Sequence, residues 1–138
     1  MHRLVLIGTV ALATAAVAVP VAWAGSPHFV DDTVQAVVSG TNGEILTVSG
    51  KEAGLGDEAQ VHIVVTATAL CINGGGNHPK AVNKADASSQ GDFPVQNGKA
   101  EFSLTLTATF QPPCSPPMTV QWTNITVTDT TNGISTIF

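Results

Sequence analysis

Hydrophobic and polar positions alternate with a period of two along much of the chain, which sends every second side chain to the same face. The clearest run covers residues 101–110. Phe102, Leu104, Leu106, Ala108 and Phe110 fall on one phase, and Ser103, Thr105, Thr107 and Thr109 on the other. That pattern predicts a strand with one face in the core and one in solvent. Residues 60–72 form a longer run rich in β-branched side chains. Val61, Ile63, Val65, Ala67, Ala69 and Cys71 share one face, while His62, Val64, Thr66, Thr68, Leu70 and Ile72 share the other. With apolar residues on both phases, this run is expected at the centre of a sheet.

Weaker segments flank these two. Val34, Ala36 and Val38 alternate in a first strand, and residues 45–49 form a second after the turn Gly40-Thr41-Asn42-Gly43. A polar strand is predicted over residues 83–89. Residues 119–128 make another, but Val120 and Trp122 lie on one phase and Ile125 and Val127 on the other. A slip of phase near Thr123-Asn124 is the mark of a β-bulge. Asn132-Gly133 then turns the chain into residues 134–138, a hairpin signal. No amphipathic helical stretch follows residue 25, because Gly, Pro, Asn and Asp punctuate the chain too often. About seven short strands with turns between them predict an all-β, antiparallel immunoglobulin-like β-sandwich with Trp122 between its sheets. The tyrosine corner of that fold is absent, since the chain contains no Tyr.

The first residues read differently. Met1-His2-Arg3 is a short positive start, residues 4–19 are apolar and uncharged, Pro20 breaks the run, and Ala22-Trp23-Ala24 supplies small residues for a peptidase. Residues 1–24 are therefore expected to be a secretory signal peptide, and residues 25–138 a single exported domain. The apolar run is short for a retained anchor beside the ~20 residues of a bilayer span, and no second run of spanning length follows, so no membrane span is expected after cleavage. The exported part holds four lysines, no arginine and all ten acids, a formal charge of −6 with His neutral. Nucleic-acid binding needs clustered basic residues to neutralise phosphates, and that class is excluded. Anionic membranes are disfavoured for the same reason.

Cys71 and Cys114 are the only cysteines, and an exported chain with two has one possible internal bridge. On the loop-entropy model, closing a span of this length stabilises the fold by roughly 4 kcal/mol. If consecutive strands run up and down, the strands ending at Cys71 and Phe110 finish at the same pole. The loop from Asn73 to Lys84 and the proline-rich segment Gln111-Pro112-Pro113-Cys114-Ser115-Pro116-Pro117 then leave side by side, with the turn at residues 39–43 nearby. Asn73, Gly74, Gly75, Gly76, Asn77, His78 and Lys80 are the candidate binding residues, because recognition loops sit on the ends of rigid sandwiches. A simple connection whose Gly and Asn satisfy backbone angles is the competing reading. The three glycines lack the strand–loop–helix setting of a phosphate-binding loop.

Three stretches carry a resemblance: Lys51-Glu52-Ala53-Gly54-Leu55, the segment from Cys71 to Pro79, and Val127-Thr128-Asp129-Thr130-Thr131-Asn132-Gly133. In these the chain resembles small secreted immunoglobulin-like proteins of actinomycetes. The resemblance implies a fold and a compartment, and it carries no catalytic or binding residues.

The remaining chemistry is sparse. A hydrolase needs an activated nucleophile beside a base; His28, His62 and His78 are scattered, no Gly-x-Ser-x-Gly elbow occurs, and a bridged cysteine is no nucleophile. A metal site needs convergent ligands, but the acids come as neighbours, Asp31-Asp32 and Asp57-Glu58, which face opposite sides of a strand. One Trp and no Tyr in the exported part leave little for an aromatic sugar platform. Thr66, Thr68, Thr105, Thr107, Thr109, Thr126 and Thr128 suit solvent faces of strands, and the sequon Asn124-Ile125-Thr126 lies inside a predicted strand, where it is expected to be fortuitous. No cofactor, catalytic residue or metal is expected. The sequence points first to a secreted, non-catalytic binding or adhesion module that meets an extracellular or cell-wall ligand through its disulfide-linked pole. A self-assembling structural protein using exposed strand edges is the alternative, and a small secreted hydrolase the second.

Overall fold

The computed structural model describes residues 26–73 and 83–138. Within them lie β1 (His28–Phe29), a 3-10 turn (Asp31–Thr33), β2 (Gln35–Ser39), β3 (Ile45–Ala53), β4 (Gln60–Ile72), β5 (Lys84–Pro94), β6 (Ala100–Thr107), β7 (Thr119–Asp129) and β8 (Ile134–Ile137). They form two antiparallel sheets. In the first, β3 is flanked by β6 on one side and by β1 and β2 on the other; the second has the order β5-β4-β7-β8. No described helix is long and apolar enough to cross a membrane.

β1 and β2 are two halves of one edge strand. His28 and Phe29 pair with Ala53 and Glu52, and Gln35 resumes the ladder opposite Ser49. Between them the 3-10 turn lifts away from β3. The Thr33 hydroxyl bridges the gap, donating to the Val30 carbonyl at 2.7 Å and accepting the Lys51 N–H at 2.9 Å. A side-chain oxygen thus takes the place of a missing ladder carbonyl.

The two inner faces meet in a core of alternate residues. Leu46 and Val48 of β3 and Phe102, Leu104 and Leu106 of β6 pack against Val61, Ile63 and Val65 of β4 and Ile125 and Val127 of β7. Phe102 is the pivot, edge-on to Phe29 at 5.9 Å and to Phe93 at 6.3 Å. Gly50 makes room for it, because a Cβ there would lie 2.9 Å from Phe102 Cζ. β3 therefore runs through Gly50 to Ala53 instead of stopping at the predicted residue 49.

β4 spans residues 60–72 as its alternation predicts, hydrogen-bonded on both edges. Its second face is only partly covered by neighbouring side chains. β5 reaches Pro94, beyond the predicted residue 89, because all of its residues from Lys84 to Pro94 ladder with β4. The run at 101–110 leaves the ladder after Thr107, and Ala108 and Phe110 keep the inward phase as loop residues.

The bulge in β7 is present. Thr66 pairs with Thr126 and Thr68 with Thr123, so three steps on β7 match two on β4. Asn124 takes the extra position with φ +52, a left-handed conformation that Asn tolerates better than most residues. Val120, Trp122, Ile125 and Val127 all turn inward as a result. Trp122 is half-buried and packs against both core clusters.

Candidate functional site

Strand directions define two poles. One gathers the β2–β3 turn, the end of β4 and the β6–β7 loop. The other gathers the β3–β4 loop, the β5–β6 turn and the β7–β8 turn.

At the first pole, Cys71 and Cys114 form a disulfide with Cα atoms 5.8 Å apart. Cys71 closes the inward face of β4, and Cys114 sits in the proline-rich loop. A small second core surrounds the bridge: Ala69, Phe110 and Val120, with Met118 and Trp122 against them. The predicted neighbourhood of the β2–β3 turn also holds. Asn42 Nδ2 donates to the Cys114 carbonyl at 2.7 Å and to the Met118 carbonyl at 3.3 Å. The Asn42 carbonyl accepts Val120 N–H at 2.9 Å, and Trp122 Nε1 donates to the Gly43 carbonyl at 2.8 Å. Gly43 is required here twice over: its φ is +87, and a Cβ would lie 2.9 Å from the Val120 carbonyl oxygen.

Glu44 completes the turn. Its carboxylate accepts Asn42 N–H at 3.0 Å and Thr41 N–H at 3.2 Å. These backbone donors, led by Asn42, hold its pKa below the ordinary value. An open depression of roughly 430 Å³ lies between turn and loop, with Asn42, Thr109, Gln111, Pro113 and Ser115 among its walls. Of the sequence-predicted binding residues, Asn73 is exposed at the end of β4. Gly74, Gly75, Gly76, Asn77, His78 and Lys80 lie outside the described residues.

The opposite pole holds a feature that the sequence reading missed. Glu52 and Asp129 are fully buried, each with 0% relative exposure. Asp129 is well provided with donors. Its Oδ1 accepts Thr131 N–H at 2.8 Å and Asn132 N–H at 3.2 Å, and its Oδ2 accepts Asn132 Nδ2 at 2.6 Å. Asn132 Nδ2 also reaches Glu58 Oε2 at 3.1 Å. Glu52 has no donor on either oxygen. Burial, then hydrogen bonding to Asp129, then the charges of Asp129 and Glu58 push its pKa up to about 9. Burial also acts to raise Asp129, but its bonds from Glu52, Asn132 and Thr131 outweigh that and lower its pKa. The pair therefore holds one proton at neutral pH, carried by Glu52 and offered to the Asp129 carboxylate.

The signal was present in the pattern. Glu52 continues the inward phase of Leu46 and Val48, and Asp129 continues that of Ile125 and Val127. An acid in the core phase of a strand must be neutralised or paired. Among the described residues no group of three or more His, Cys, Asp or Glu is arranged to hold a metal ion.

A third cluster lies on the outer face of the second sheet. His62 Nδ1 is 2.7 Å from Asp92 Oδ1, and Nε2 is 3.1 Å from Gln90 Oε1. Hydrogen bonding to Asp92, then to Gln90, raises the His62 pKa. Both ring nitrogens face oxygen acceptors, an arrangement in which both bonds form only with the protonated ring. The threonines predicted for solvent faces divide between the two sheets: Thr66, Thr68 and Thr126 border a shallow groove on the second sheet, and Thr105 pairs with Thr47 on the first.

No protein-family model matches the chain, and no curated protein or solved structure matches it.

Proposed function

We propose that the protein is an exported, non-catalytic binding module with an immunoglobulin-like sandwich, and that it engages an extracellular or cell-wall ligand through its disulfide pole. The strand order supports the fold reading. Four strands, β6, β3 and the split edge of β1 and β2, oppose four in the order β5-β4-β7-β8, and the chain crosses between sheets after β3, β5 and β6, as immunoglobulin-like sandwiches do. The leader-like residues 1–24, the disulfide and the resemblance to small secreted actinomycete proteins support export.

One observation carries the functional reading. Connections from both sheets are fastened into a single concave surface by the bridge and by Asn42. A binding surface whose loops are ordered beforehand loses less entropy when the ligand arrives. The walls are polar side chains and prolines, which suits a polar, hydrogen-bonding ligand such as a wall polymer.

The test is capture of the producing organism's wall and secreted fractions on the purified protein. Gln111→Lys with Ser115→Lys, both on exposed rim positions, is expected to weaken capture about tenfold or more while the far-ultraviolet spectrum stays unchanged. Full capture by this folded variant would refute the assignment.

A further inference from the structure

Four large apolar side chains remain exposed among the described residues: Val37 at 55%, Val38 at 51%, Ile137 at 73% and Phe138 at 50%. All four lie on β2 or at the end of β8. These are edge strands, β2 of the first sheet and β8 of the second. Both edges lie on the same side of the sandwich. β5 and β6 close against each other on the far side, while β1 and β8 flank a common depression on this one. Among the described residues the sandwich therefore has one closed side and one open side.

Within β2 and β8 the usual protection is missing; the acids of this side, Asp31 and Asp32, lie in the 3-10 turn before β2. Exposed edges are guarded by charges, prolines or bulges that forbid a further strand. β5, on the closed side, carries Lys84, Asp86 and Asp92. Residues 34–43 and 130–138 contain no charged residue and no proline. In a chain of net charge −5, two copies can approach along these strands without like charges on the strands themselves. All five residues of β2 are exposed, and among the described residues only β3 pairs with it.

We infer that the open side is a self-recognition surface, on which β2 of one copy pairs antiparallel with β2 of a second copy about a two-fold axis at Val37. The occupant must be an extended strand, because a row of backbone N–H and C=O groups is matched by nothing else. The sequence of β2 suits its own reverse. The axis sets Val37 against the second copy's Val37, Ala36 against Val38, and Gln35 against Ser39. Each pair shares one face of the sheet, and a small side chain meets a larger one across the inner row. Such an interface is isologous and closes at two copies, giving a continuous six-ribbon sheet without fibre growth. The seam is short, so the dimer is of the weak class that forms on concentration.

Sedimentation equilibrium of the full exported chain, from micromolar to millimolar, tests the pairing. The wild type is expected to pass from monomer to dimer and no further. Val37→Lys sets two like charges on the axis and is expected to raise the dissociation constant about tenfold or more. The double variant Gln35→Glu, Ser39→Lys keeps the result readable even should the first variant misfold. It places opposite charges across both ends of the seam and is expected to tighten the dimer. A wild type that stays monomeric throughout, growth beyond the dimer, or a folded double variant that associates no better than the wild type would each overturn the pairing. None of these outcomes touches the binding assigned to the disulfide pole.

Discussion

The two poles of the sandwich are fastened by opposite means. At one, a covalent bridge and an asparagine side chain draw three connections around an open depression. At the other, two buried carboxyl groups share a proton beneath the β7–β8 turn. The first device leaves polar side chains and backbone facing solvent. The second consumes its polar groups internally: Asn132, Thr131 and Glu52 all serve Asp129. A pole whose hydrogen-bonding capacity is spent on itself holds the fold, and a pole whose capacity faces outward is free to bind.

The largest expected effect comes from cutting the bridge. Cys71→Ala with Cys114→Ala frees a span of 43 residues, and the unfolded chain regains roughly 4 kcal/mol of entropy. Urea denaturation should show that loss as a lower midpoint, with a steeper slope because the uncrosslinked chain unfolds to a more open ensemble. Asp129→Ala is the matching cut at the other pole. It strands the Thr131 and Asn132 donors and leaves Glu52 without its partner, a cost of about 3 kcal/mol in the same assay.

The carboxyl pair also predicts an unusual pH profile. Glu52 titrates near 9 in the folded state and near 4.5 otherwise. The native state thus holds a proton that the unfolded state releases, so stability falls as pH rises from about 4.5 to about 9. Asp129 acts below this window: its lowered value gives stability that is lost as pH falls through it. Glu52→Gln keeps a donor toward Asp129 but cannot titrate. It should flatten the decline above neutrality, gaining on the order of 2 kcal/mol over the wild type near pH 9, as read from melting temperature against pH.

Smaller effects sharpen the contrast. Asn42→Ala removes two bonds to the proline-rich loop and should cost about 1 kcal/mol, accompanied by faster hydrogen exchange confined to the disulfide pole. Lys51→Ala breaks the 3.3 Å ion pair with Glu101 on the outer face of the first sheet. Both partners are exposed, and the expected change is below about 0.5 kcal/mol.

How much of this was legible beforehand follows from where side-chain periodicity speaks. β4 matched its predicted bounds because its inward phase holds only apolar residues from Val61 to Cys71. The β7 bulge was visible because Trp122 and Ile125 could not both face inward on an unbroken strand. β1 and the 3-10 turn were invisible: two residues make no period, and the hydroxyl of Thr33 that replaces a ladder carbonyl acts across 18 positions of sequence. The end of β5 was missed because its core phase runs through Ala85, Ala87, Ser89 and Gly91 before it reaches Phe93, which leaves little contrast over most of the strand. Glu52 escaped notice because Gly50 interrupts the phase that leads to it. The disulfide pole was readable from strand counting. The bond from Asn42 to Cys114 depends on a side-chain rotamer that no periodicity encodes.

The most direct test maps the backbone amide shifts of the isotope-labelled protein as solubilised wall fragments of the producing organism are added. The account predicts shifts concentrated at residues 41–44 and 109–118, with residues 52–58 and 129–133 unmoved. Perturbations centred on the carboxyl pole, with the bridged loops silent, would contradict it.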